Sequence, residues 1–377
     1  MCNNDRLFDA IHSFDVILVG AGIVGAACAR ELADSGLKVA VCHDSDTVGA
    51  GATAAGMGHI AVMDDSDAQF ALTNYSQSLW WELAGTLPPE AEFAGCGSLW
   101  VAADDEEMAE VHRKSEYYSA RGVAVDVLDS GGVAKAEPNL RRGLAGGLRL
   151  PADAVSYAPA VARKLLTGIQ LLRGRVVSAT SDGIEFASGE SYFAGAVVLA
   201  TGADLPRLAP ELPVRPRKGH LLITDRYPGY LNHQIIELGY LKSAHSEDAD
   251  SVAFNVQPRV TGQLLIGSSR QLGVDHADID HAILRRMLAR AVEYMPGLAS
   301  LNGIRAWTGF RASTPDNLPL IGLRPGHRSL YVASGHEGLG ISTSLGTAKL
   351  LADAMLGRPS AIPREPYDPS RSFNHHA

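Results

Sequence analysis

Three glycines near the N-terminus have the spacing of a turn that binds phosphate through its backbone. Gly20, Gly22 and Gly25 form the pattern G-x-G-x-x-G, in which Ile23 and Val24 separate the last two glycines. The first glycine of such a turn permits a tight bend, the second lets the backbone approach a pyrophosphate, and the third packs a helix on a strand. The N–H groups and dipole at the start of that helix bind the anion. We therefore predict that these five residues bind a dinucleotide.

The flanking residues supply the strand and helix that this turn requires. The apolar run Asp15–Val19 precedes the glycines, and the alanine-rich segment Ala26–Ser35 follows them. Gly36 is well placed to end the helix in a left-handed conformation. Leu37–Val41 is a second apolar run of strand length. The sequence therefore predicts a complete β-α-β unit, the context in which the glycine pattern indicates dinucleotide binding.

The end of the second predicted strand departs from the usual dinucleotide pattern. An acidic residue at this position normally binds the adenosine ribose hydroxyls. This sequence has His43 there and Asp44 next to it. Either Asp44 binds the ribose after a shift of one residue, or His43 binds it more weakly, or His43 is a plain loop residue. The absence of an arginine at this place gives no support for a 2′-phosphate.

A second segment with little side-chain volume follows. Residues 49–58, GAGATAAGMG, are mostly glycine and alanine, and His59 comes next. This composition indicates backbone that lies close to a bulky flat ligand rather than a regular helix or strand, although a flexible loop has the same composition. Flavin enzymes often have such a segment here, whereas nicotinamide enzymes do not need one. The predicted cofactor contacts are Thr53, Ala54, Ala55, Gly56, Met57 and Gly58.

Segments further along the chain fit the same interpretation. Gly174–Ser178 is a short strand in which Val176 is placed to meet an adenine, and Gly195–Ala203 is a buried strand that contains Thr201 and Gly202 near its end. Near the C-terminus, residues 330–342 read as a strand and a glycine-rich turn, followed by a helix over Ser342–Met355. The predicted cofactor contacts in the C-terminal part are Gly309, Gly335, Gly338, Leu339, Gly340, Ile341 and Ser342.

These motifs, in this order and spacing, resemble the FAD-dependent D-amino acid oxidase superfamily over residues 14–357. The resemblance implies an α/β fold in which a Rossmann-like FAD-binding domain is interleaved with an antiparallel-sheet substrate domain. Residues 54–66 and 334–353 are most similar to bacterial D-hydroxyproline dehydrogenases and their glycine and sarcosine oxidase relatives. Some sarcosine oxidase relatives bind flavin through a C-terminal cysteine. Since all four cysteines here precede residue 97, we expect non-covalent FAD.

The domain boundaries that we predict alternate along the chain. The FAD-binding domain comprises 13–84, 145–215 and 305–357, and the substrate domain comprises 85–144 and 216–304. Within the latter, strand-like runs at 252–256 and 263–267 flank a hairpin signal that ends in Gly262, and Leu284–Met295 reads as a helix. The proline-containing stretch 358–377 is expected to be an extended C-terminal tail.

The resemblance also implies a reaction, the oxidation of a C–N bond by hydride transfer from Cα of an uncharged amine to flavin N5. The imine product is then hydrolysed by water, so no protein nucleophile is required. D-Hydroxyproline or D-proline substrates are favoured, and iminodiacetate, sarcosine and glycine are the alternatives within this class. Two other classes remain open: a non-catalytic flavin electron-transfer subunit and a nicotinamide-dependent dehydrogenase.

Five residues are candidates for substrate binding or catalysis. Arg311, in the R-x-x-T-P-D stretch, matches the family position that binds the substrate carboxylate, for which an arginine fork is well suited. The alternative for Arg311 is a structural ion pair with Asp316 or another acid. Tyr240 matches a tyrosine that lies over the substrate in relatives, or else packs in the core. The remaining candidates flank the glycine-rich segments and would contact flavin or substrate: His59, His336 and Glu337. The alternative for His59 and His336 is that each is only a hydrogen-bonded polar neighbour of these segments.

Composition excludes several other classes of protein. The 377-residue chain has a formal net charge of −9 and no lysine- or arginine-rich run, so we expect no nucleic-acid partner. The first apolar stretch, Val16–Ala29, is short of the roughly 20 residues of a membrane span, and the residues before it are unlike a signal peptide. We therefore expect a cytoplasmic protein without a membrane span. The scattered histidines predict no metal site, and the electron acceptor, a partner subunit and a homo-oligomer are left open.

Overall fold

The structure is a computed structural model that describes residues 13–239 and 250–373. The chain divides into two compact units, each built from segments that are distant in sequence. The first unit comprises Met1–Thr53, Ala158–Arg215 and Ala312–Ala377, and the second comprises Ala54–Tyr157 and Pro216–Arg311. Each unit contains its own large sheet.

The described part of the first unit is organised around an eight-stranded mixed sheet. Its central strands run in the order β17-β18-β11-β1-β2-β8, while β10 pairs with β11 and β9 pairs with β10. The pairs β1–β2, β1–β11, β2–β8 and β11–β18 are parallel. The strands are β1 (Ser13–Val19), β2 (Val39–His43), β8 (Gln170–Arg173), β9 (Val176–Ala179), β10 (Gly183–Phe186), β11 (Ser191–Leu199), β17 (Leu320–Leu323) and β18 (Leu330–Ser334).

Three helices pack in the first unit because each has an apolar or small-residue face. Helix α1 (Ile23–Asp34) buries Ile23, Leu32 and several alanines, and it packs against α6 (Ala158–Leu165) and α8 (Ser344–Leu356). The predicted β-α-β unit is therefore confirmed, and Gly36 has the expected left-handed conformation with φ +90°. The last helix begins two residues later than predicted, after the cap residue Thr343.

The described part of the second unit contains an eight-stranded sheet in the order β16-β12-β15-β14-β13-β4-β6-β5. The pair β4–β13 is parallel, and the pairs β4–β6, β5–β6, β12–β15, β13–β14 and β14–β15 are antiparallel. The expectation of an antiparallel sheet therefore holds except at β4–β13. The strands are β4 (Ser98–Ala102), β5 (Asp126–Asp129), β6 (Gly146–Leu150), β12 (Arg215–Arg226), β13 (Gln234–Glu237), β14 (Ser251–Pro258), β15 (Gln263–Leu272) and β16 (Gly303–Ser313).

Local capping explains where the helices of the second unit begin. The Ser66 side chain accepts from Gln69 N at the start of α3 (Asp67–Ala84), and Asp104 caps α4 in the same way. Asp280 accepts from two N–H groups at the start of α7, so this helix begins three residues before the predicted Leu284. The other helices and a two-stranded pair are α2 (Ala52–Ala55), α4 (Asp105–Ser119), α5 (Ser130–Ala136), α7 (His281–Tyr294), β3 (His59–Ile60) and β7 (Ala154–Val155).

Two further expectations are confirmed by the elements. The predicted hairpin joins β14 and β15, and its turn is closed by Gly262 N donating to Arg259 O at 2.8 Å. Among the described residues, none of the helices has the length and apolar character that crossing a membrane requires.

Candidate active site

The glycine turn at the start of α1 has no space for side chains at two of its three glycines. Gly20 has a φ of +116°, and a Cβ there would collide with the carbonyl oxygen of Ala200. A Cβ on Gly25 would collide with the carbonyl oxygen of Gly20. The strand, the turn and the helix are therefore in direct backbone contact, as the phosphate-binding pattern requires.

The N-terminus of α1 is left open for an anion. Gly22 is the cap residue and has no side chain, and the first turn of the helix contains no acidic residue. The N–H of Ile23 donates to Thr53 Oγ1 at 2.9 Å, which ties the segment before Ala54 to the helix start. The unpaired N–H groups of a first helical turn carry partial positive charge. The arrangement suits a pyrophosphate.

The end of β2 places the two candidate ribose ligands differently. His43 is half-buried, and its Nδ1 donates to Ser45 O at 2.9 Å, whereas Asp44 is exposed. Gly174 N donates to His43 O at 2.9 Å, which brings the residues just before Val176 to the same edge of the sheet. The geometry leaves both alternatives for the ribose in place.

Two other parts of the first unit lie beside the glycine turn. Ala200, whose N–H donates to Val19 O at 2.8 Å, continues into Thr201, and among the described residues the buried Thr201 Oγ1 has no hydrogen-bond partner. Gly202 O accepts from Ser334 Oγ at 3.0 Å, which joins this turn to the end of β18. An orphaned buried hydroxyl of this kind is typical of a surface that binds a ligand.

The C-terminal glycine-rich loop packs against the same helix start. A Cβ on Gly340 would lie 3.8 Å from Val24 Cγ2, so Gly335–Gly340 and Gly20–Gly25 converge within the first unit. A Cβ on Gly335 would lie 2.6 Å from Thr314 Cγ2, and Gly335 has a φ of +81°. The remaining predicted contacts lead into α8, with Gly338 exposed, Leu339 half-buried, and Ile341 and Ser342 buried.

His336 and Glu337 are fixed in this loop. His336 is buried, and its Nε2 lies 3.0 Å from Thr347 Oγ1. Burial lowers the pKa of His336 to about 3, so the ring is neutral at physiological pH. Glu337 has a left-handed φ of +50°, and its N–H donates to Ala312 O at 2.7 Å.

In the second unit, residues 54–58 are held by strands of the large sheet. Ala55 O accepts from Trp307 Nε1 at 3.3 Å, and Met57 O accepts from Gln257 Nε2. The expectation that this segment contains no regular helix is wrong at its beginning, because α2 forms one helical turn over Ala52–Ala55. A Cβ on Gly309 would collide with Ala55 Cβ.

Gly58 and His59 continue this segment into β3. Gly58 has a φ of +94°, and a Cβ there would collide with Ser156 O. Ser156 N donates to Gly58 O at 2.9 Å, which pairs the two strands β3 and β7. Burial lowers the pKa of His59 to about 4, whereas its hydrogen bond with Gln257 acts in the opposite direction. His59 is therefore a neutral group at physiological pH.

The guanidinium of Arg311 lies over the sheet of the second unit. Its Nη1 donates to Ser269 O at 3.0 Å. A Cβ on Gly219 would lie 2.6 Å from Nη1, so the guanidinium is packed on the backbone of β12. Over residues 13–239 and 250–373, Arg311 forms no salt bridge, and its fork has N–H groups left for a ligand. The alternative of a pair with Asp316 is wrong, because Asp316 pairs with Arg371.

The same face of the sheet contains side chains that the sequence analysis missed. A Cβ on Gly267 would lie 2.7 Å from Leu221 Cδ2 and 3.1 Å from Met57 Sδ. Asn255 is directly opposite Gly267 on β14, and its buried Oδ1 has no hydrogen-bond partner in the described part of the chain. Strand register brings these residues together, and no local sequence signal marks them. Tyr240, the remaining candidate, lies outside the described residues.

The first unit thus has a Rossmann-like fold. The whole chain belongs to a known family, since the model of the "FAD dependent oxidoreductase" family matches residues 15–354. The protein is an FAD-dependent oxidoreductase. No group of three His, Cys, Asp or Glu residues that could hold a metal ion occurs among the residues described.

Named relatives are similar over most or nearly all of the chain. Glycine oxidase from Geobacillus kaustophilus is 28% identical over 96% of this chain and 97% of its own length. Its crystal structure superposes with a TM-score of 0.86, covering 96% of this chain and 100% of the other. A D-amino acid dehydrogenase from Methylobacterium nodulans is 29% identical over 71% of this chain and 65% of its own. The names support an amino acid oxidase or dehydrogenase.

Proposed function

We propose that this protein oxidises the C–N bond of a small amino or imino acid to an imine, with substrates of the D-hydroxyproline or D-proline type favoured. Iminodiacetate, sarcosine and glycine are the alternatives. The observation that carries the proposal is the Arg311 guanidinium, which lies on a sheet face without a salt-bridge partner among the described residues. An arginine fork binds a carboxylate through two parallel hydrogen bonds.

The residues of the first unit fit FAD. When bound, FAD would supply the two-electron acceptor for the oxidation. The turn Gly20–Gly25 and the open start of α1 would bind the pyrophosphate, and His43 or Asp44 the ribose. Val176 would lie against the adenine. The orphaned Thr201 hydroxyl and the loop Gly335–Ser342 are proposed as further contacts.

On the substrate side, Arg311 would hold the carboxylate and thereby orient Cα. One of its five N–H groups is taken by Ser269 O, so the others are available. His59 and His336 are neutral at physiological pH because of their burial. As neutral rings they would donate or accept hydrogen bonds without competing with Arg311 for the carboxylate. Glu337 and Tyr240 are proposed to contact the substrate as well.

The oxidation also requires that the substrate amine lose a proton. The substrate amine must be uncharged when the C–H bond breaks, so its proton must leave before the oxidation. Hydrolysis of the imine requires only water, and no protein nucleophile is needed for it. The groups of this chain therefore act by binding and orientation rather than by covalent catalysis.

The test is anaerobic reduction of the purified, FAD-loaded protein. We expect the yellow absorbance to bleach with D-proline or 4-hydroxy-D-proline, and more slowly with sarcosine, glycine or iminodiacetate. Bleaching by glycerol phosphate alone would overturn the substrate class. Reduction by none of these compounds, with full FAD content, would instead indicate an electron-transfer subunit.

Two matched variants test whether Arg311 binds the substrate carboxylate. Arg311→Lys should raise KM by about 10-fold or more, because lysine keeps the charge but cannot form the second parallel hydrogen bond, and a hydrogen bond to a charged group is worth roughly 1.5–3 kcal/mol. Arg305→Lys is the control, since Arg305 lies on the same strand and stacks on Trp307 with 5.2 Å from its Cζ to the ring centroid. Equal effects of the two substitutions would contradict the assignment of Arg311.

A further inference from the structure

We infer that Gly219 and Ser269 form a seat for the Arg311 guanidinium, and that the absence of a side chain at position 219 determines where the substrate carboxylate binds. The inference rests on the proposed function and extends it to residues that touch Arg311 rather than the substrate. Gly219 and Ser269 are therefore positioning residues. The term "seat" refers to these two residues throughout.

The close approach of Arg311 explains the glycine at position 219. A Cβ built on Gly219 would lie 2.6 Å from Nη1, 3.0 Å from Cζ and 3.0 Å from Nη2. Because three atoms of the planar group are this near, the guanidinium lies broadside on the strand backbone. The φ of Gly219 is outside the left-handed region, so backbone conformation alone would permit alanine. The three heavy atoms nearest to that Cβ all belong to the guanidinium of Arg311.

Ser269 holds the guanidinium from the neighbouring strand β15. Its carbonyl oxygen accepts from Arg311 Nη1 at 3.0 Å. Its Oγ accepts from His220 N at 2.9 Å and lies 2.9 Å from His220 Nδ1. The seat is thus tied to the residue that follows Gly219, and the two strands are connected through one side chain.

The tautomer of His220 follows from its other partner. Asp280 N donates to His220 Nε2 at 3.0 Å, so Nε2 must carry the lone pair. The proton is therefore on Nδ1, which donates to Ser269 Oγ. His220 is only 1% exposed, and its burial and nearby Lys218 lower its pKa. A neutral ring thus links the cap residue of α7 to the seat.

The seat limits the positions that the Arg311 guanidinium can occupy. A side chain at 219 would have to displace the guanidinium by roughly 1 Å, and a misplacement of this size costs on the order of 10²-fold in reactivity. A side chain at 219 should therefore weaken the binding of ligands that have a carboxylate. Binding of ligands without a carboxylate should be unaffected.

The test compares Gly219→Ala with Gly303→Ala in the FAD-loaded protein. Gly303 is exposed on β16, where the three heavy atoms nearest to a Cβ belong to the flexible side chain of Leu222, at 3.1 Å or more. We expect Gly219→Ala to raise KM for the amino acid and the inhibition constant of glycolate by about 10-fold or more, because a displaced fork loses one of its two hydrogen bonds to the carboxylate. FAD content and the thermal midpoint should stay at the values of the Gly303→Ala control.

A double-mutant cycle shows whether Gly219 acts through Arg311. In an Arg311→Ala background, Gly219→Ala should weaken glycolate binding by less than about 3-fold, because coupled residues are not additive. Additive effects would overturn the inference. If Gly219→Ala alone does not fold, the Arg311→Ala background should restore folding, because the guanidinium that the new Cβ meets is then absent. A double variant that also fails to fold overturns the inference.

The same measurements separate this inference from the proposed function. Wild-type affinity in Gly219→Ala, together with a loss in Arg311→Ala, refutes the seat and leaves the proposed function intact. Equal glycolate inhibition of wild type and Arg311→Ala refutes the role of Arg311 in binding the carboxylate. The proposed role of the seat is then refuted as well.

Discussion

Arg371 forms a two-point salt bridge with Asp316, with Nε donating to Oδ2 at 2.7 Å and Nη2 to Oδ1 at 2.9 Å. The guanidinium also donates to the carbonyl oxygens of Pro319 and Leu318. Burial would raise the pKa of Asp316, but the pair with Arg371 holds it below its usual value. The described end of the tail is therefore fastened to the segment before β17.

Arg371→Met should destabilise the protein because it leaves the half-buried Asp316 carboxylate without its cation. Both side chains are mostly covered, with 11% and 19% exposure, so we expect a loss of about 2–3 kcal/mol in the free energy of unfolding. Arg328→Met is the control, since its pair with Asp182 is exposed and worth about 1 kcal/mol or less. Urea denaturation of both variants measures the difference, and similar losses would argue against the pair.

Gly25→Ala should both prevent FAD binding and destabilise the protein. The new Cβ would collide with the carbonyl oxygen of Gly20, and overpacking of this kind costs about 1–3 kcal/mol. Gly85→Ala is the control, because a Cβ there meets nothing within 4 Å. FAD content after purification and the thermal midpoint are the measurements. A fully loaded Gly25→Ala protein would contradict the proposed role of the turn.

Ionisation of the Asp153 carboxyl should lower the free energy of unfolding as pH rises. The carboxyl is buried and accepts from Gln77 Nε2, Ser98 Oγ and Val62 N. Burial raises its pKa to about 7, although these hydrogen bonds lower it. A carboxyl whose folded pKa is raised contributes stability that is complete below the unfolded pKa near 4 and is lost as pH rises through about 7.

The variant Asp153→Asn tests this dependence, because an amide cannot ionise. Between pH 5 and pH 8 the wild type should lose about 2–3 kcal/mol more stability than the variant, at roughly 1.4 kcal/mol per pKa unit. Asp46→Asn is the control, since Asp46 is exposed. Parallel stability profiles for wild type and Asp153→Asn would refute the assignment.

His336, in contrast, should make the protein less stable as pH falls. Its folded pKa of about 3 lies below the usual 6.5, so its contribution to stability is present above pH 6.5 and is lost as pH falls. Between pH 6.5 and 4.5, His336→Gln should reduce the acid loss by about 2–3 kcal/mol. His276→Gln, at an exposed position, provides the comparison. An unchanged acid slope in His336→Gln would count against a buried neutral ring.

The β-α-β unit could be predicted from the sequence because its determinants are local. Gly25 is required by its contact with the Gly20 carbonyl within one short turn, and Gly20 and Gly36 by their own positive φ. The seat could not be predicted, since Gly219, Ser269 and Arg311 meet only through the register of β12 and β15. The same applies to Asp153, whose unusual pKa depends on burial and on partners from α3, β4 and the segment after β3.

The strand order of the first sheet has a consequence for synthesis. β1 pairs with β11, which starts at Ser191, and β11 pairs with β18, which ends at Ser334. A nascent chain therefore exposes one edge of β1 until β11 has been synthesised, and one edge of β11 until β18 has been synthesised. Such long-range pairing slows folding and exposes the chain to aggregation. Expression at low temperature or with added chaperones should therefore raise the yield.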